Sequence, residues 1–124
     1  MRIDLTEEIE NILKDITFTM YEFDGTIQSI KECAGLYIYF GENDTVLYIG
    51  ESVKIRKRLS HHLSTQPFMG EVKKIGIYKN SELDRYDRLI LESLLIKKLN
   101  PVHNSSDGSI RSGRTFSKLD KELF

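Results

Sequence analysis

Only one cysteine, Cys33, occurs in the chain. That excludes an internal disulfide and a zinc–cysteine framework alike, and it fits a reducing cytosol. Cys33 itself reads as a small buried residue. Long apolar runs are also missing: none approaches the roughly 20 residues needed to cross a bilayer. Met1-Arg2-Ile3-Asp4 leads into acidic residues, so no secretory signal peptide is expected and a cytoplasmic location is. There is no internal repeat. What remains is 124 residues, 40% apolar and 30% charged, the profile of one soluble globular domain with a modest core.

Net charge is nearly absent as well, at −1, but it is unevenly divided. Residues 1–32 carry three basic and eight acidic side chains; residues 33–124 carry fifteen basic and eleven acidic. The second part is therefore mildly basic, with a cluster at Lys54, Arg56, Lys57 and Arg58. Such a cluster either engages phosphates or forms a solvated charged face. Charge permits a nucleic-acid partner without establishing one.

Periodicity and turn chemistry divide the chain into elements. Asp4-Leu5-Thr6-Glu7 has the form of a capping box, and Leu5, Ile9, Ile12 and Leu13 predict a short helix over 5–14. Residues 17–23 and 26–30, separated by Asp24-Gly25, predict a hairpin. Two further strands are expected at 35–40 and 45–49, joined by residues 41–44. Ser52 is placed as N-cap of a helix from Val53 to Leu63, with Ile55, Leu59 and Leu63 as its apolar row. A strand is expected within 71–78. A helix over 82–99 follows, with Ser81 as N-cap, Asp84 at its third position and Pro101 beyond its end. The polar tail from Ser105 is expected to be loosely ordered. The organisation is thus an extension (1–32), a core (33–105) and a basic tail (106–124). In that tail Arg111, Arg114 and Lys118 either grip a backbone or are solvated.

Three groups of residues carry chemistry. With a four-residue loop at 41–44, Tyr37 falls opposite Tyr48, and Tyr37 and Tyr39 share the face away from Leu36, Ile38 and Phe40. Gly50 lies just beyond, where a glycine allows close approach of backbone or ligand. The tyrosines are either a catalytic pair or a plain aromatic cross-strand contact. Lys54, Arg58 and His62 are spaced i, i+4, i+8, along one helix face opposite the Ile55 row. That face suits an anionic substrate, since Arg forks onto phosphate and His moves protons near neutral pH; the alternative is a basic solvent face. His61 points elsewhere and reads as exposed. Glu92 is the one charge between Leu89 and Ile96. A carboxylate on such a face costs several kcal/mol unless it is paired or binds metal. The alternatives are an ion pair with Arg88 at i−4, or Mg²⁺, which keeps waters and accepts phosphate oxygens.

The ordered set Gly35-Leu36-Tyr37, Tyr48-Ile49-Gly50, Arg58, His62, Glu92 and Pro101-x-x-Asn104 resembles the GIY-YIG nuclease superfamily. The resemblance spans roughly residues 35–104. It implies a small α/β (α+β) domain with a short central antiparallel sheet flanked by helices, here carrying an N-terminal helix and hairpin. It further implies a metal-dependent DNA endonuclease with one Mg²⁺ or Mn²⁺ ion held by Glu92. Tyr37 would serve as general base or proton relay with Tyr48 beside it. Arg58 would steady the phosphate, His62 would assist proton transfer, and Asn104 would brace the site. Gly50, Lys54, Arg56 and Asn104 are the expected substrate-binding positions. A free phenol, with a pKa of about 10, is a poor base at neutral pH, and a neighbouring metal and Arg58 would both favour the phenolate.

The acidic front section lies outside the family's core. It would cover a sheet edge, form a dimer surface or modulate access of DNA. No zinc finger or helix-turn-helix is visible, so sequence specificity is unassigned. From its length, a stand-alone nuclease of phage, mobile-element or restriction type is expected rather than a repair subunit. A homodimer or sequential nicks would be needed to cut both strands. The competing expectations are an inactive nucleic-acid-binding module, an RNA-directed nuclease, and an interaction domain in which Glu92 and the tyrosines only pack.

Overall fold

A computed structural model describes residues 6–104. Asp4, Leu5 and the tail from Ser105 lie outside the described residues, and with them the first half of the expected capping box. Seven regular elements occur: α1 (Thr6–Lys14), β1 (Thr19–Glu22), β2 (Gly35–Phe40), β3 (Val46–Ser52), α2 (Ile55–Thr65), β4 (Lys74–Lys79) and α3 (Arg85–Leu99). The strands form one antiparallel sheet in the order β1-β4-β2-β3. This is the expected α+β class, a central antiparallel sheet with helices on both sides.

Each face of the sheet has its own core. Tyr37, Tyr39, Ile75 and Ile77 pack with Ile55 and Leu59 of α2 and with Ile27, Ile30 and Phe68. On the other face Leu36, Ile38, Val46 and Ile49 pack with Leu13 and Leu95, from α1 and α3. Alternation along β2 thus sends its two tyrosines towards α2 and its aliphatics towards α3. Gly35 opens β2 at φ +154, and a Cβ there would lie 1.8 Å from the Tyr78 carbonyl oxygen, so only glycine fits where β2 meets β4.

Four sequence expectations are corrected. The front hairpin does not form: β1 pairs with β4, and residues 26–30 are not a strand. The Asp24 carboxylate accepts from the Thr26 amide and hydroxyl, turning the chain so that Ile27 and Ile30 enter the α2-side core instead. The β2–β3 register also differs. Thr45 belongs to the turn, where the Gly41 amide donates to its carbonyl, and a bulge follows between the strands. Phe40 therefore faces Val46, Tyr39 faces Tyr48, and Tyr37 faces Gly50.

Helix boundaries make up the other two. α2 starts at Ile55 with Lys54 at its N-cap, because Ser52 completes β3 and its hydroxyl accepts from the Lys54 amide. α3 starts at Arg85 with Asp84, not Ser81, as N-cap; its carboxylate accepts from the Asp87 amide at 2.8 Å. α3 ends at Leu99, where Asn100 adopts the left-handed conformation ahead of Pro101. In α1, Leu13 turns inward while Ile12 is exposed.

After α3 the chain returns along the free edge of β3. The amides of Val102 and His103 donate to the carbonyls of Val46 and Leu47. Asn104 continues the pattern with its side chain: its Oδ1 accepts from the Ile49 amide at 2.8 Å, and its Nδ2 donates to the Ile49 carbonyl at 2.7 Å. The carboxamide acts as one more peptide unit added to the edge.

Candidate active site

Tyr37 lies across Gly50. A Cβ at position 50 would fall 2.3 Å from both the Cζ and the Oη of Tyr37, so the absence of a side chain is what lets the phenol lie there. The expected partner, Tyr48, sits diagonally instead of directly opposite, with ring centroids 6.1 Å apart. Tyr37 is fully buried, Tyr48 half-buried. Among the described residues, the Tyr37 hydroxyl is the buried side-chain polar atom that makes no hydrogen bond of good geometry. Its nearest polar relation is the Tyr48 hydroxyl, close enough to ease Tyr48's ionisation slightly.

His62 is placed differently from the expectation. It does not share a solvent face with Arg58 but is buried, in the row with Ile55 and Leu59. Seven residues make nearly two helical turns, so position 62 returns to the azimuth of Ile55, while Leu63 turns partly outward. His62 Nδ1 lies 2.8 Å from the Tyr39 hydroxyl, and its ring meets Tyr48 edge-on at 5.5 Å. Burial, then Arg58 and His61, lower its pKa from 6.5 to about 4, so the imidazole is neutral at pH 7. Tyr39 was not singled out from the sequence; its place two residues after Tyr37, on the same face, was the available signal.

Glu92 stands half-buried on α3. Its expected partner Arg88 is engaged elsewhere: Arg88 Nε donates to Glu51 Oε2 at 2.9 Å, and Nη1 donates to the Leu83 carbonyl. Glu92 is left with no cation at ion-pair distance among the described residues. Burial above all, then repulsion from Glu51, push its carboxyl from 4.5 up to about 7, against the Glu51 backbone amide and Arg58. Its charge disfavours ionisation of both Tyr37 and Tyr48, which places the carboxylate within electrostatic reach of both phenols.

Arg58 is exposed, yet it acts on every group so far described. It favours the ionised forms of Tyr37, Tyr39, Tyr48 and Glu92, and disfavours protonation of His62. For Tyr37 that help is outweighed: burial, then Tyr48 and Tyr39, hold the phenol well above its ordinary range. Lys54 and Arg56 are exposed at the start of α2. Asn104 has both amide atoms committed to Ile49, next to Gly50.

Several supporting residues were not foreseen. Glu51 and Arg88 form a nearly buried ion pair joining β3 to α3 one turn before Glu92. Glu32 substitutes for the side-chain cap that Lys54 does not provide: its oxygens accept from the amides of Arg56 and Lys57 at 2.7 and 3.1 Å. Phe68 stacks on Tyr48 at 5.4 Å and on His103 at 4.7 Å, walling the far side of the phenols.

The arrangement is thus a phenol seated over a glycine with a second phenol beside it, and a carboxylate and a guanidinium within electrostatic reach of both. Neither charged group is in an ion pair among the described residues. Residues 33–105 match the family model described as the UvrC-like GIY-YIG domain. The chain belongs to this family. Among similar curated proteins, the UvrABC system protein C of Nautilia profundicola is 34% identical over 96 residues, covering 66% of this chain and 15% of the relative. That of Dictyoglomus thermophilum is 30% identical over 112 residues, covering 86% and 18%. That of Methanococcus maripaludis is 32% identical over 83 residues, covering 63% and 16%. The chain therefore spans only about a sixth of the length of these relatives. β1, which completes the sheet, lies before the matched segment.

Proposed function

We propose that this domain is a metal-dependent endonuclease that hydrolyses a phosphodiester bond of DNA. The observation that carries this reading is that Gly50 seats the Tyr37 phenol beside Tyr48 while Glu92 and Arg58 lie within electrostatic reach of both phenols. Neither of the two is in an ion pair among the described residues. A carboxylate held half-buried without a cation, at a pKa of about 7, is suited to receive one. Among the described residues no three His, Cys, Asp or Glu side chains gather to hold an ion by themselves. A single carboxylate fits Mg²⁺ or Mn²⁺, whose remaining positions go to water and phosphate oxygens. When bound, the ion would polarise the phosphoryl group and stabilise developing negative charge.

The chain's own residues supply the rest. The exposed guanidinium of Arg58 forks onto the non-bridging oxygens of the scissile phosphate. The half-buried hydroxyl of Tyr48 faces water and positions the nucleophile. Tyr37, its neighbour, helps pass the water's proton along the Tyr37–Tyr48 hydroxyl pair to solvent as the water oxygen bonds to phosphorus. The ester oxygen leaves as its P–O bond breaks and takes up a proton from solvent. Neutral His62 holds the Tyr39 hydroxyl and, through its edge contact, the Tyr48 ring. Lys54 and Arg56 contact the strand beside the cleaved bond. No helix among the described residues is long and apolar enough to cross a membrane.

The test is incubation of the protein with supercoiled plasmid in Mg²⁺ or EDTA, beside Glu92→Gln and Arg58→Ala. Metal-dependent nicking or linearisation lost in both variants is expected. Plasmid left intact by the folded wild-type protein, in Mg²⁺ and in Mn²⁺, overturns the reading.

A further inference from the structure

The basic residues of this domain differ in how they are held. Lys73, Lys74, Arg88 and Lys98 each pair with a carboxylate. Other cations with no such carboxylate among the described residues, such as Lys14, Lys79 and Lys97, are scattered over separate elements. Lys54, Arg56, Lys57 and Arg58 are exposed and have none at ion-pair distance among the described residues, and α2 contains no acidic side chain. The nearest acid, Glu32, is occupied by backbone: its two oxygens accept from the amides of Cys33, Arg56 and Lys57. It fixes the first turn of α2 without neutralising the side chains that project from it.

Two adjoining clefts run along this helix. The smaller, of about 340 Å³, lies between the end of β3 and α2, and is lined by Lys54, Lys57, Arg58 and His61. The larger, of about 590 Å³, lies between α2 and the segment before β2, and is lined by Ile27, Glu32, Arg56, Lys57, Ser60 and His61. Lys57 and His61 are common to both, so a continuous track leads from Arg58 to a wall that includes Ile27 and Glu32, outside the matched family segment.

We infer that this track is a second nucleic-acid contact, with Arg56 and Lys57 gripping backbone phosphates that flank the one held by Arg58. The inference rests on the nuclease reading for the identity of the ligand and extends the contact assigned there to Lys54 and Arg56 along α2, to Lys57 and the cleft beside Glu32. The N-terminal segment thereby acquires a role: it forms the outer wall of the track and, through Glu32, sets the pitch at which α2 presents its cations.

The test measures binding of a short DNA duplex in EDTA from 50 to 200 mM salt, so that cutting plays no part. The double variant Arg56→Gln/Lys57→Gln is compared with wild type and with Lys73→Gln/Lys74→Gln, which removes two cations already paired elsewhere. Each lost phosphate contact lowers the salt slope by about 0.9, so the α2 variant should lose about 1.8. Its affinity deficit should then be about tenfold larger at the low-salt end than at the high-salt end. An unchanged slope, an equal loss in the control variant, or no binding by wild type overturns the track. Wild-type protein that binds with the full slope but cuts plasmid in neither Mg²⁺ nor Mn²⁺ would end the nuclease reading and leave the track standing.

Discussion

Replacing Glu92 by glutamine should stabilise the metal-free protein at alkaline pH while abolishing cutting. The carboxyl is pushed from 4.5 to about 7, chiefly by burial and then by Glu51. An unfolded chain ionises this group near its ordinary value, whereas the folded chain resists ionisation until about pH 7. The resulting penalty on the folded state is absent below pH 4.5, grows through that interval and is complete above pH 7. The full gap corresponds to about 3.4 kcal/mol at its limit. Glu92 is only half-buried, so solvent screening reduces this to about 1–2 kcal/mol. Glutamine carries no such penalty. In EDTA, thermal unfolding followed by circular dichroism should give nearly equal melting temperatures at pH 4.5. At pH 8 the variant should lead by about 4–8 °C. Adding Mg²⁺ at pH 8 should raise the wild type by mass action and leave the variant unmoved. A difference that does not change with pH, or a variant less stable at pH 8, would refute the account of Glu92 as an uncompensated carboxylate.

Three other outcomes are expected. Gly50→Ala places a Cβ 2.3 Å from the Tyr37 phenol, and the buried ring has to move; the cost is about 1–3 kcal/mol in urea unfolding. Plasmid cutting should fall about a hundredfold with secondary structure retained. Asn104→Ala removes both hydrogen bonds to Ile49, costing about 1–3 kcal/mol and accelerating hydrogen exchange at the Ile49 amide in particular. His62, held down to about pKa 4 when folded against 6.5 otherwise, contributes stability that is complete above pH 6.5 and is lost as pH falls towards 4. The relief of the Glu92 penalty over the same interval is common to wild type and His62→Gln. Urea unfolding at pH 7 and pH 4.5 should therefore show wild type faring worse on acidification than His62→Gln, whose carboxamide can also hydrogen-bond the Tyr39 hydroxyl.

The parts of this domain that were legible in the sequence are those whose cause is local. The triplets at 35–37 and 48–50, the strands that contain them and the end of α3 at Pro101 each depend on residues within a few positions. The register of β2 against β3 did not follow, because Thr45 joins the turn and the bulge takes one more residue, so every later pair shifts by two. A shift of two keeps the alternation and leaves no trace in it. The front hairpin failed for a different reason: Asp24-Gly25 is a good turn, but the better partner for residues 19–22 lies more than fifty positions away in β4. His62 was misplaced by phase alone, since its spacing from Ile55 and Leu59 already put it inside. Arg88 was matched to Glu92 by helical spacing, whereas the more buried partner, Glu51, comes from another element. The roles of Glu32 and of the Asn104 carboxamide are contacts across the fold, and no window of sequence contains them.

The position of β4 has a consequence for how the molecule comes together. It lies between β1 and β2, so the N-terminal strand has no place to dock until residues 74–79 exist and have paired with β2. On a ribosome, the first thirty or so residues must wait while the hairpin, α2 and then β4 emerge, and Asn104 can close the edge of β3 only later still. Assembly is thus governed by contacts distant along the chain, which places it among the slower topologies for its size. Until β4 arrives, the apolar residues of β2 are uncovered on one side, and the growing chain is most exposed to misassociation in the interval between the emergence of residues 35–40 and that of residues 74–79.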